Sequence, residues 1–184
     1  MNLPNRLTVL RLVLTVVFVA VTAFSWPFAW TTGLVIFLVA SYTDYLDGAI
    51  ARKRNLITNF GKLMDPLADK VLVAAALVAL VAASEVAAWI VVLILSREFL
   101  VTGMRLVAAG EGKVVSADKF GKLKTILQMV AIIGFLAYLA IIEFGTILPA
   151  LRLVSEIVLY AALVITCVSG FRYLRANWEV FEDA

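Results

Sequence analysis

D-Y-L-D-G-A-I-A-R-K-R-N-L-I-T-N-F-G-K-L-M-D-P-L-A-D-K, from Asp44 to Lys70, is the stretch whose reading decides the fold of this chain. Four aspartates, Asp44, Asp47, Asp65 and Asp69, sit inside stretches that are otherwise oily enough to cross a membrane. Between the two pairs stands a basic run, Arg52-Lys53-Arg54. The pattern reads as the end of one membrane helix, a short basic connection and the start of the next. A carboxylate at the bilayer centre costs roughly 2.5–3.5 kcal/mol. A chain that keeps four of them must neutralise them, and divalent cations bound through oxygen are the natural means.

The composition agrees. Of 184 residues, 64% are hydrophobic and 16% charged, and the mean hydropathy is +1.03. A soluble domain carries about 45–50% apolar and about 25% charged residues. The expectation is an all-α integral membrane protein, a six-transmembrane-helix bundle with a short N-terminal interfacial segment, forming a single domain over residues 1–184. The expected helices are Leu7–Phe24, Pro27–Ala51, Gly61–Ala83, Ala87–Ala109, Lys119–Ile142 and Ile147–Tyr173. Breaks fall at Ser25-Trp26-Pro27, Ser84-Glu85 and the polar segments between. The apolar run after Arg6 and Arg11 has no convincing small-residue cleavage site and reads as a retained first helix.

Charge orients the bundle. Arg6, then Arg52, Lys53, Arg54 and Lys62, then Lys113, Lys119, Lys122 and Lys124, then Arg172 and Arg175 fall at one set of helix ends. The alternate connections hold only Arg152. The positive-inside rule places both termini, the basic loops and the aspartates on the cytoplasmic side of a cell membrane. The net charge of +3 reflects this topology and gives no reason to expect nucleic acid as a partner. Trp26, Phe28, Trp30 and Trp178 read as interfacial anchors. Glu85, Glu111, Glu143, Glu156, Glu179, Glu182 and Asp183 are expected at solvated or interfacial positions.

Histidine is absent. That excludes imidazole acid–base chemistry, histidine metal sites and every Ser-His or Cys-His pair. The one cysteine, Cys167, lies in an apolar run, cannot form an internal disulfide and is expected to pack there. Any metal site must use oxygen, which points to Mg²⁺, Mn²⁺ or Ca²⁺.

Asp44 and Asp47 are three apart and share a helix face with Gly48 and Ala51; Arg52 lies two turns from Asp44. Asp65 and Asp69 are four apart on the next helix, with Gly61 one turn earlier and Pro66 placed to kink it. Packed antiparallel, the two helices can turn both pairs to one cavity. Four carboxylates suit two divalent cations better than one, and such a pair can clamp a phosphoryl displacement. Gly48 leaves room for a substrate near the backbone, and Arg52 can grip a phosphate bidentately. The competing reading pairs the aspartates with Arg52, Lys62 and Lys70 as internal salt bridges. Another makes them the site of a divalent-cation transporter, for which Arg52 has little use.

The spacing D-x2-D-G-x2-A-R-x8-G-x3-D-x3-D resembles the signature of the CDP-alcohol phosphotransferase family at every fixed position: Asp44, Asp47, Gly48, Ala51, Arg52, Gly61, Asp65 and Asp69. The resemblance covers essentially the whole chain. It implies transfer of a phosphatidyl group from CDP-diacylglycerol to an alcohol with release of CMP. It also implies two Mg²⁺ or Mn²⁺ ions held by Asp44, Asp47, Asp65 and Asp69. Asp69 would serve as general base, and Gly48, Ala51, Arg52 and Thr58 would lie at the CDP-diacylglycerol. Asn5 and Thr8 are further candidates for the nucleotide, with helix capping as their ordinary alternative. The resemblance also implies a homodimer in contact with membrane lipid.

A second polar cluster, S-R-E-F-L-V-T-G-M-R from Ser96 to Arg105, interrupts the fourth apolar helix. Arg97 and Arg105 are eight apart and share a face with Glu98 and Thr102. The fifth helix opens with Gly121-Lys122-Leu123-Lys124-Thr125 and then Gln128. Arg97, Arg105, Lys122 and Lys124 are candidates to bind the phosphate of an acceptor. The alternative is charge balance, with Arg97 on Glu98 or Asp65 and the lysines snorkelling to lipid phosphates. These stretches, with the opening N-L-P-N-R-L-T-V-L-R, resemble the branch of the family whose acceptor is sn-glycerol 3-phosphate. Branches using inositol phosphate, serine or phosphatidylglycerol share the same aspartate core.

Overall fold

The computed structural model describes the backbone at residues 3–24, 26–54, 59–110 and 119–176, and side chains at 7–24, 26–43, 67–68, 70–105, 107 and 121–175. Among the described residues there are six helices and no strand. They are α1 (Leu3–Ala23), α2 (Ala29–Arg54), α3 (Asn59–Ala82), α4 (Ala88–Gly110), α5 (Lys119–Glu143) and α6 (Pro149–Ala176).

Local chemistry sets the helix ends. Pro149 opens α6, where a missing N–H costs nothing. Gly145, at φ +77, closes α5, and its N–H donates to the Ile142 carbonyl at 2.9 Å. After α3 the N–H of Ser84 donates to Val81 O at 2.9 Å and that of Glu85 to Leu80 O at 3.0 Å. This is a Schellman closure with Ser84, φ 60, in the left-handed position.

The helices form a closed ring in the order α1, α2, α5, α6, α4, α3, each packed on the next and α3 on α1. α5 and α6 make the most extensive contact, followed by α1 and α2. Phe18 and Phe37 lock α1 to α2 with ring centroids 6.1 Å apart. A Cβ at Gly134 would lie 3.2 Å from Ser155 Cβ, so glycine there permits the close approach of α5 to α6. The core holds Phe18, Phe37, Leu77, Ile94, Ile132 and Phe135. The outside is apolar too: Val16, Val92, Val154, Ile157, Val164 and Phe171 are all exposed. Water tolerates such a surface poorly, whereas hydrocarbon does not distinguish it from the core.

Residues Gly121–Glu143 and Pro149–Arg175 are long and apolar enough to cross a membrane. The apolar stretches Leu7–Ala23, Ala29–Thr43 and Lys70–Ala82 are shorter. The turns after α1, α3 and α5 gather at one end of the bundle. There Glu143, closing α5, caps α2: its carboxylate accepts from the N–H of Trp30 at 2.7 Å and of Thr31 at 2.9 Å, and from Thr31 Oγ1 at 2.7 Å. Arg152 Nε donates to Glu85 Oε2 at 2.7 Å at the same end.

Three expectations change. The N-terminal stretch does not stand apart from the first helix: α1 runs continuously from Leu3, because Pro4 falls within its first turn, where proline is compatible with a helix. Glu143 is a cap and Glu85 an ion-pair partner, since helix ends and a facing cation outcompete solvent for them. Cys167 is exposed on the outer face of α6 instead of packed inside. The backbone of α3 is helical on both sides of Pro66.

Candidate functional site

At the opposite end, four helices bring polar side chains together. α4 supplies Arg97, Glu98, Thr102 and Arg105, whose spacings of four and eight residues stack them on one side of the helix. The first turns of α5 supply Lys122, Lys124 and Thr125, α3 supplies Lys70, and α6 supplies Ser169 and Tyr173. All but Ser169, which stands behind Arg97, line a cavity of about 380 Å³.

The contacts tie the helices together. Lys124, buried to 3% exposure, forms an ion pair with Glu98 Oε1. Arg97 Nη1 lies 3.8 Å from the same oxygen, and Arg97 Nη2 donates to Ser169 Oγ at 3.0 Å. Lys70 Nζ donates to Thr102 Oγ1, which donates to the Glu98 carbonyl at 2.7 Å. The Arg105 guanidinium stands 5.5 Å from the Tyr173 ring centroid. Lys70, Arg97, Arg105, Lys122 and Lys124 thus line one cavity, and Glu98 is the only carboxylate among its described lining residues. Such an excess of cations suits a phosphate dianion.

All four acceptor candidates, Arg97, Arg105, Lys122 and Lys124, lie on this cavity. Arg97 also stands beside Glu98, so charge balance and cavity lining coexist. The reading from sequence singled out neither Ser169 nor Tyr173, and treated Lys70 as a salt-bridge partner. A four-residue spacing on α6 was the available signal for the first two, but nothing marked that face before α6 packed on α4.

A smaller cavity of about 190 Å³ lies one turn deeper, between α3, α4 and α5. It shares Lys70, Glu98, Lys124 and Thr125 with the first and is otherwise walled by Val73, Leu95, Phe99, Gln128 and Met129.

Asp44, Asp47, Gly48, Ala51 and Arg52 fall on α2, and Asp65 and Asp69 on α3. Their side chains, and that of Asn5 on α1, lie outside the described ones, as does Thr58 altogether. Among the described residues no group of three acidic, cysteine or histidine side chains is placed to hold a metal ion. α2 contacts α3, and α1 packs on both. Thr8 on α1 is fully buried, as is Arg11, to which the sequence reading gave no role at the site; both are engaged in interactions. Asp69 immediately precedes Lys70, which lines the cationic cavity, in the chain of α3.

Residues 1–168 match the family model described as CDP-alcohol phosphatidyltransferase. The chain belongs to the CDP-alcohol phosphatidyltransferase family. It is similar to the CDP-diacylglycerol–glycerol-3-phosphate 3-phosphatidyltransferase of Bacillus subtilis (strain 168), at 42% identity over 100% of this chain and 98% of the relative. The protein of the same name from Rickettsia bellii (strain RML369-C) is 41% identical over 98% and 97% of the two chains. That of Yersinia pestis (strain Pestoides F) is 37% identical over 97% and 96%. This phosphatidyltransferase therefore aligns with these relatives along nearly its whole length.

Proposed function

We propose that this phosphatidyltransferase moves the phosphatidyl group of CDP-diacylglycerol to sn-glycerol 3-phosphate, giving phosphatidylglycerol phosphate and CMP. The observation that carries the acceptor is the cationic cavity of Arg97, Arg105, Lys122 and Lys124, reached by the helix that bears Asp69. Full-length similarity to relatives named for glycerol 3-phosphate supports the same reading.

Asp44, Asp47, Asp65 and Asp69 are the residues to hold two divalent ions. Their donor set is all oxygen, at three- and four-residue spacings on two helices in contact, and fits Mg²⁺ or Mn²⁺. The ions, when bound, neutralise the pyrophosphate and the departing CMP. Gly48, Ala51, Arg52 and Thr58, with Asn5 and Thr8, form the donor side. Asp69 takes the proton of the acceptor's C1 hydroxyl. That oxygen bonds to the β-phosphorus, which carries diacylglycerol; the bond to the bridging oxygen breaks, and CMP leaves with the electron pair. Arg97, Arg105, Lys122 and Lys124 hold the acceptor's phosphate and fix its approach.

All six helices cross the membrane in this reading. They have 21 to 28 residues, or about 31–42 Å at a rise of 1.5 Å per residue, enough to span hydrocarbon about 30 Å thick. The lysine-rich end faces the cytoplasm. The enzyme is one domain and works as a homodimer.

The test uses purified protein in detergent with CDP-diacylglycerol and Mg²⁺. CMP release is followed on adding glycerol 3-phosphate, serine, inositol phosphate or phosphatidylglycerol separately. Release with glycerol 3-phosphate alone is expected. Release with a different acceptor alone would overturn the acceptor assignment, and no release from folded protein would overturn the reaction.

A further inference from the structure

Gln128 lies one turn along α5 from Lys124, is 4% exposed and lines the smaller cavity. Its amide makes no hydrogen bond to another described side chain or backbone group. A polar group that lines a cavity is ordinarily satisfied by what the cavity holds. Val73, Leu95 and Met129 give this cavity apolar walls, and the other polar side chains on it are Lys70, Glu98, Lys124 and Thr125.

The cavity's 190 Å³ equals about six water volumes at roughly 30 Å³ each, room for a three-carbon polyol. Its boundary with the larger cavity is the charged layer of Lys70, Glu98 and Lys124. A molecule whose phosphate lies among the cations therefore extends its carbon skeleton toward Gln128. Glycerol 3-phosphate has three polar groups. The phosphate goes to the cations, and the C1 hydroxyl must reach Asp69, next to Lys70. The C2 hydroxyl remains, as does the Gln128 amide.

We propose that Gln128 is a specificity-determining residue that hydrogen-bonds the C2 hydroxyl of the acceptor. This rests on the proposed reaction and deepens it. A site built to bond a hydroxyl rejects the analogue that lacks it, because its own polar group is then left buried and unpaired.

The experiment compares glycerol 3-phosphate with 3-hydroxypropyl phosphate, which lacks the C2 hydroxyl, by CMP release from wild type, Gln128→Met and Gln128→Asn. Wild type is expected to favour glycerol 3-phosphate by at least about tenfold in kcat/KM. Gln128→Met should fall to within about threefold of equality, by losing rate with glycerol 3-phosphate while keeping its rate with the analogue. The retained analogue rate and an unchanged KM for CDP-diacylglycerol report that the variant is folded. Gln128→Asn, which keeps the amide at a shorter reach, should fall between. Equal discrimination in wild type and Gln128→Met, or equal loss with both acceptors, would overturn the proposal and leave water or packing as the partner of Gln128. If wild type releases CMP with neither acceptor, the reaction itself is wrong.

Discussion

Glu98 on α4 and Lys124 on α5 are joined by an ion pair across a gap that the two helices do not close by packing on each other. α4 and α5 are instead held apart by α3 and α6, which each contacts. The gap is where both cavities meet. Removing one member of a buried pair leaves the other uncompensated, at a cost of about 3–5 kcal/mol. Glu98→Ala should therefore lower the thermal unfolding midpoint of the detergent-solubilised enzyme. Exchanging the two residues, Glu98→Lys with Lys124→Glu, should recover part of that loss. A midpoint unmoved by Glu98→Ala would mean that the pair contributes nothing to the fold.

Arg97 depends on the absence of a side chain at Gly170. A Cβ there would stand 2.9 Å from Arg97 Cγ, close to the backbone end of that side chain. Gly170→Ala should push the guanidinium off Ser169 and raise the KM for glycerol 3-phosphate about tenfold, the loss of one charge-assisted hydrogen bond. KM for CDP-diacylglycerol should stay constant. Steady-state kinetics with each substrate varied in turn would show the split, and a parallel rise in both KM values would refute it.

The aspartates make the sharpest chemical prediction. Asp69→Asn should lower kcat by at least about 10²-fold, the lower end of what a general base contributes. Chelation with EDTA should abolish CMP release, and Mg²⁺ or Mn²⁺ should restore it in the wild type. Near-normal turnover by Asp69→Asn would end its assignment as the base.

Glu143 offers the converse case, a half-buried polar contact far from the chemistry. Glu143→Ala removes three hydrogen bonds from the start of α2 and should cost about 1–2 kcal/mol of stability. At a temperature where the variant is folded, its kcat/KM should match wild type. Activity loss without a fall in unfolding midpoint would contradict the division between the two ends of the bundle.

How much of this was legible beforehand follows the range of the forces involved. The helices were, because hydropathy and helix termini are local properties; each predicted helix has an observed counterpart within a few residues at its ends. The first helix was expected from Leu7 and begins at Leu3, because a helix start and an interfacial collar share the same local signals. The acceptor residues were legible as a cluster, since Arg97 and Arg105 are costly in an apolar helix whatever surrounds them.

By itself the sequence determined the all-helical class, the family and the aspartate pattern, because each is written in residue types at short, regular spacings. Only the tertiary structure decided the partners. Glu143 meets Trp30 across 113 positions, Arg97 meets Ser169 across 72, and Gln128 is left facing a cavity that three helices make together. Contacts of that kind depend on which helices become neighbours in the ring, and the energy that chooses neighbours is summed over whole helix faces, so no single spacing in the chain announces it.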